Sequence, residues 1–227
     1  MDRRTFIKAV PALAVLSGAA PSVAEELPPI ALPHPEVEGG KSVLAALLAR
    51  RTNREISDRR LPDQVLSNLL WAAFGVNRAS GSFGKAGRTA PSASNSQEID
   101  LYVALPEGVY LYDAAAHRLN PIVPGDLRGR SGRRAATTAP VNIFYVADLS
   151  RYDTGPNQPD RRISDPEVQK SYYYCATGLI AQNVYLFCAS QDLAAWLHNC
   201  DKENTARELK LRPQQRVLFA QTVGYPA

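Results

Sequence analysis

Three guanidinium groups crowd into one short stretch, "ARRTNREIS", where Arg50, Arg51 and Arg54 accompany the hydroxyl of Thr52. A guanidinium is a permanently charged, fork-shaped donor that matches a pair of phosphate oxygens, so this grouping suits a phosphate dianion. The same cations would also complement the negative end of the helix they follow, and the residues alone leave both readings open. A second stretch, "TAPSASNSQEIDLYVAL" at residues 89–105, gathers Ser92, Ser94, Asn95, Ser96 and Gln97 just ahead of an alternating strand pattern. Amides and hydroxyls donate and accept at once, which suits a ligand edge of alternating carbonyls and N–H groups, such as a flavin pyrimidine or a ribityl chain. A capped turn opened by Ser92 or Ser94 is the structural alternative.

Other chemistries lack their residues. "GSFGKAG" is not a dinucleotide fingerprint, and Lys85 is followed by Ala86, so no phosphate-loop motif is present. There is no HExxH, no Cys/His cluster and no GxSxG elbow, so neither a metal site nor a nucleophile elbow is expected. His34 sits between prolines as a solvated loop residue, and His117 falls at a strand turn. His198 stands alone as a candidate base. Cys175, Cys188 and Cys200 are odd in number without CxxC spacing. Cys175 and Cys188 fall in one expected helix, roughly 20 Å apart along its axis, and cannot bond within a chain. All three read as buried small apolar side chains.

The 227 residues, 45% hydrophobic and 21% charged, describe a globular chain of one domain or two small ones. Its first residues, "DRRTFIK", precede the apolar "AVPALAVLSGAA" and a small-x-small pattern at Ser22, Val23 and Ala24. Residues 1–24 therefore read as a removable targeting segment, too short to span a bilayer. Paired Arg3 and Arg4, with Phe6 and Lys8, resemble a twin-arginine export signal, so a periplasmic protein is expected; an ordinary secretory leader is the alternative. Setting aside Arg3, Arg4, Lys8 and Asp2 takes the 26 basic and 22 acidic residues to 23 and 21, too balanced to argue for nucleic acid. No later stretch is apolar enough for a stable membrane span.

Residues 25–40, rich in proline, read as a linker or a surface arm, and residues 41–227 as the functional domain. A helix from Lys41 is expected to set Val43, Leu44, Leu47 and Leu48 on one face. A second, opened by Pro62 and Asp63 and stopped by Gly75, should bury Leu66, Leu69, Leu70 and Phe74. A Gly- and Ser-rich loop follows at 75–91. Strands are expected at 99–104, 109–113 and 117–123, with "LPEG" as the hairpin turn, and "APVNIFYVADL" as a buried strand. The longest helix spans residues 165–192; a short helix in "KENTARELKL" and a strand in "QRVLFAQTVGYP" close the chain. Mixed elements without βαβ alternation favour an α+β class.

"RRTNREIS", "RTAPSASNSQEIDLYVAL", the helix with "GLIAQNVYLFCASQDL" and the terminal "QTVGYP" together resemble the FMN-dependent nitroreductase family, in order and spacing, across residues 41–226. The "PSxxNxQ" element followed by a strand is the most specific part. The likeness extends to that family's thiazoline/oxazoline oxidase-like dehydrogenase branch. It implies a central, mainly antiparallel sheet flanked by helices, a long central helix, and a homodimer whose interface holds FMN contacted by both chains. Arg50, Arg51, Thr52 and Arg54 match the phosphate-binding motif, while Ser92, Asn95 and Gln97 match positions near the ribityl chain and ring. "AAWLHNC" stands where family backbone amides approach flavin N5 and O4, with His198 and Asn199 as the candidates there. The family usually continues past "GYP" with another basic residue; this sequence stops at Ala227, which leaves Arg50, Arg51, Arg54 and Arg88 for the dianion.

The implied activity is ping-pong transfer of a hydride through flavin N5 from a small-molecule donor to an electron-poor acceptor, nitroaromatic or quinone-like. The flavin carries the hard chemistry, so no catalytic acid, base or nucleophile is expected of the protein. Export would separate the enzyme from cytoplasmic nicotinamide cofactors. A dehydrogenase or oxidase acting on a small molecule or a peptide heterocycle is therefore the alternative. A catalytically inert flavin-binding dimer is the alternative of another class.

Overall fold

The computed structural model describes residues 27–131, 136–152 and 161–227. The leader and the stretches 132–135 and 153–160 lie outside the described residues. At the centre is a seven-stranded sheet. In chain order its strands are β1 (Ile30–Ala31), β4 (Ile99–Leu105), β5 (Gly108–Asp113), β6 (Arg118–Pro124), β7 (Val141–Asp148), β8 (Ala194–His198) and β9 (Gln215–Gly224). A separate two-stranded ribbon pairs β2 (Val76–Arg78) with β3 (Gly87–Arg88) inside the expected 75–91 loop. The spatial order is β1-β6-β5-β4-β7-β9-β8, and every pairing is antiparallel. Among the described residues four α-helices complete the α+β fold: α1 (Val43–Ala49), α2 (Asp63–Phe74), α3 (Pro166–Ser190) and α4 (Lys202–Glu208). No helix among the described residues is long and apolar enough to cross a membrane.

Alternation along the strands sorts side chains into two cores, one on each sheet face. Leu101, Val103, Ile143 and Tyr145 meet Leu66, Leu69 and Leu70 of α2 and Ile180 and Val184 of α3. Tyr102, Ala104, Phe144 and Val146 face the other way, towards Leu209 after α4. Because both faces are covered, β7 is buried at all eight positions, and between Asn142 and Asp148 it reads as an unbroken apolar run. The α2 stripe is buried as its periodicity predicts. In the long helix, Asp165 caps the N-terminus by accepting from the Glu167 N–H, and Pro166 occupies the first turn, where no N–H is needed.

The apolar face of α1 points outward, and the expected burial of the cysteines needs one correction. In α1 only Ala46 is buried; Leu44 and Leu48 are 79% and 90% exposed, and Val43 and Leu47 are also exposed. Ala46 lies on the helix's buried side, so the apolar residues point away from the chain's own core. Cys175 is exposed, whereas Cys188 and Cys200 are buried as expected. It shares an outward α3 stripe with Tyr174, Gly178 and Leu179, and nothing lies within 4 Å of where a Gly178 Cβ would stand.

Residues 27–40 run along α2 and the sheet edge. Ile30 and Ala31 pair with Leu119 and Arg118. The Ser67 hydroxyl donates to the Pro33 carbonyl at 2.6 Å, and Asn68 accepts from the Glu36 N–H at 2.8 Å.

Candidate functional site

The Arg50 stretch leaves α1 and enters an extended segment laid beside the end of the chain. The Asn53 N–H donates to the Ala195 carbonyl in β8, the Ser57 N–H to Tyr225 O, and the Ala227 N–H to Glu55 O. Ile56 and Pro226 form a bridge between these two segments. At Gly224 a side chain could not fit, since a Cβ would sit 2.7 Å from both Ile56 and Pro140. The terminal "GYP" thus backs the arginine segment.

Arg50, Arg51 and Asn53 line a cleft of about 390 Å³ together with Tyr185, Ala195 and Pro226. Among the described residues, none of Arg50, Arg51 and Arg54 has a carboxylate within salt-bridge distance. Two of them rest on aromatic faces instead: Arg50 is 5.6 Å from the centre of the Tyr185 ring and Arg54 is 5.4 Å from that of Trp196. Such contacts steer a guanidinium without neutralising it. Thr52 is fixed by the Tyr185 hydroxyl at 3.1 Å, which in turn accepts from the Leu197 N–H at 2.8 Å. Asp192, at the rim, is taken by Lys41.

The second group lies elsewhere. Ser94, Asn95 and Gln97 all have left-handed backbones, with φ of 49°, 50° and 54°. Such a conformation costs about 1–2 kcal/mol for an ordinary residue, less for Asn, and persists only where surroundings enforce it. Here they do. The Gln97 N–H donates to Ser92 Oγ at 2.9 Å, and its side-chain Nε2 donates to Ala86 O and Asn95 Oδ1 at 2.7 and 2.9 Å. Arg88 donates through Nε to Gln97 Oε1 and through Nη1 to Phe74 O, at 2.8 and 2.9 Å. Arg151 donates to the Gln97 carbonyl and to Asp100. Burial lowers the Arg88 pKa and raises that of Asp100, although the Arg151 charge opposes the latter. None of residues 88–97 lines the arginine cleft.

His198 ends β8 with its ring turned inward: Nε2 meets Thr222 Oγ1 and Nδ1 meets the Asn199 carbonyl, both at 2.9 Å. The Asn199 residue itself is exposed just beyond the strand. Of the ten predicted residues, then, Arg50, Arg51, Thr52 and Arg54 form one group, and Arg88, Ser92, Asn95 and Gln97 a second. His198 and Asn199 flank the first group through β8. Sequence reasoning missed Tyr185, Trp196 and Arg151. Nothing in the sequence separates Tyr185 or Trp196 from ordinary core aromatics, and Arg151 is one arginine of many. Among the described residues, no group of His, Cys, Asp or Glu could hold a metal ion.

The nitroreductase family model matches residues 47–225. The chain belongs to the nitroreductase family. A candidate nitroreductase of Methanocaldococcus jannaschii is 28% identical over 189 residues, covering 78% of this chain and 88% of that protein. The crystal structure of a candidate nitroreductase from Ralstonia eutropha JMP134 is 35% identical, with a TM-score of 0.77 over 88% of this chain and 90% of that one. The NADPH:FMN oxidoreductase of Vibrio harveyi, solved with NAD+, shares the fold at a TM-score of 0.55 and 16% identity, covering 81% of this chain and 68% of that one. As a nitroreductase-family protein, this chain carries an oxidoreductase-type scaffold.

Proposed function

We propose that the protein is a homodimeric, FMN-dependent oxidoreductase of the nitroreductase type, with ping-pong turnover on an electron-poor acceptor such as a nitroaromatic or a quinone. The observation that carries this reading is the set of guanidiniums of Arg50, Arg51 and Arg54, none of them paired with a carboxylate among the described residues, two of them lining a cleft. Cations left without counter-ions at a cleft are the donor set a phosphate dianion requires, so the residues fit the phosphate end of FMN. Thr52, oriented by Tyr185, adds a hydroxyl. When bound, FMN would supply hydride acceptance and donation, chemistry that no side chain of this chain can perform.

None of residues 92–97 lines this cleft, and on this reading the two groups meet at one cofactor from different copies of the chain. The exposed α1 face and the Tyr174–Leu179 stripe of α3 supply apolar surface for that second copy. The protein's own work is to hold the phosphate, orient the ring and exclude water. The leader, outside the described residues, adds the proposal that the folded holoprotein is exported. Replacing Arg3 and Arg4 by Lys should retain it in the cytoplasm on cell fractionation.

The test is direct. Purified protein should be yellow or take up one FMN per chain, bleach with NADH or NADPH, and recover its colour with a nitroaromatic or quinone. Bleaching only by a small organic substrate would identify a dehydrogenase instead. Colourless protein that takes up no FMN would overturn both.

A further inference from the structure

We propose that Arg88 is a positioning residue for the cofactor site: acting through Gln97, it fixes the direction in which Asn95 faces and so decides which groups of residues 92–97 remain for the ligand. This rests on the FMN reading above.

A guanidinium can only donate, whereas a carboxamide offers an oxygen on one side and two N–H groups on the other. With Arg88 Nε donating to it at 2.8 Å, Gln97 must turn its oxygen towards Arg88. Its Nε2 then faces Ala86 O and Asn95 Oδ1, both within 2.9 Å. That in turn commits Asn95 to present its oxygen to Gln97 and its Nδ2 to the Ser82 carbonyl at 2.9 Å. The direction set at Arg88 therefore passes through two amides to the loop of residues 81–86. Arg88 itself is anchored by the Phe74 carbonyl, at the C-terminal end of α2, and lies 4.9 Å from the centre of the Phe74 ring. Among the described residues no carboxylate pairs with it, so its donors are left for this relay.

Gln97 is consequently spent as a donor. All its donors, the two amide hydrogens and the backbone N–H, have partners inside the chain, and each of its two oxygens already accepts one bond. It is a hub and offers a ligand no donor. What remains among the side chains of this loop as donors for a cofactor is the Ser92 hydroxyl hydrogen and the Ser94 hydroxyl, with second lone pairs on Asn95 Oδ1 and Gln97 Oε1 as acceptors.

The experiment uses the full-length dimer, with FMN as the probe, and compares wild type with Arg88→Met, Arg88→Lys, Asn95→Ala and Arg88→Met/Asn95→Ala. Arg88→Met should weaken FMN binding at least tenfold, alter the visible circular dichroism of the bound flavin, and speed amide exchange at residues 94–97 at least tenfold. Arg88→Lys, which can still donate to Gln97 but cannot also reach Phe74 O, should recover part of each effect. The double variant should bind FMN no more weakly than Asn95→Ala alone, because both changes remove one relay. Unchanged affinity, dichroism and exchange in Arg88→Met would overturn the proposal, as would a fall in melting temperature alone. Wild type that takes up no FMN would defeat the FMN reading. In that case exchange at 94–97 still decides whether Arg88 sets the loop.

Discussion

The arginine segment after α1 and the polar loop before β4 are both rich in hydrogen-bonding side chains, yet they use them in opposite ways. Around Arg50, Arg51 and Arg54 the charges have no carboxylate partners among the described residues, and two rest on aromatic rings. Around Gln97 the donors and acceptors are turned on one another and on nearby carbonyls. The first region leaves its charges for the ligand proposed above. The second consumes them to hold a left-handed backbone in one shape. A binding surface made of both would take its charge-based affinity from the cradle and its rigidity from the loop.

The sharpest way to break this comparison is to keep the two regions apart. Leu44→Glu/Leu47→Glu places two charges on the exposed α1 face, outside the arginine cleft, and should convert the proposed dimer to monomer, with nearly complete loss of FMN from the purified protein; gel filtration with absorbance detection reads both. A monomer that retains flavin would show that one copy suffices. A smaller effect is expected of salt. The cradle is open, so raising ionic strength from about 0.05 to 0.5 M should weaken FMN binding several-fold by screening, whereas exchange protection of the buried loop should barely change. Thr52→Val, which removes the hydroxyl held by Tyr185, should cost about 1 kcal/mol of FMN binding, roughly fivefold.

The smallest effect is on acid stability behind the loop. Asp148 is buried, which by itself would raise its pKa, but hydrogen bonds from Ser150 and the charges of Arg212 and Arg151 outweigh this and leave it lowered. A carboxylate whose folded pKa is depressed stabilises the fold above its unfolded value, about 3.9, and loses that contribution as pH falls through the folded value. Melting temperature should therefore hold steady as pH falls from 7 towards 4, so far as Asp148 is concerned, and decline below. Asp148→Asn should flatten that decline.

How far these regions could be read in advance follows from what fixes them. β4, β5, β6 and β7 were legible because alternation and an unbroken apolar run report burial on one face or on two. The arginine stretch stood out because three permanent charges so close together call for a counter-charge, but the residues alone left a phosphate and the negative helix end both open. The apolar face of α1 was legible but its partner was not, because an apolar stripe says that a surface will be covered, not by which chain. β8 went unread because "AAWLH" is five residues long and lies against a helix end without a clear turn signal. The role of Gln97 was invisible for a different reason: an amide has no direction until a donor-only neighbour gives it one, and Arg88 lies nine residues back.

The most direct measurement is the affinity of the apoprotein for FMN and for riboflavin, read by quenching of flavin fluorescence, in wild type and in Arg50→Ala/Arg54→Ala. The two ligands differ only in the phosphate. Wild type should prefer FMN by a hundredfold or more, in keeping with about 1.5–3 kcal/mol for each charge-assisted hydrogen bond, and the double variant should bind both equally weakly. Equal affinity for the two in wild type, or an undiminished preference in the variant, would contradict the assignment of the arginine cradle to the phosphate.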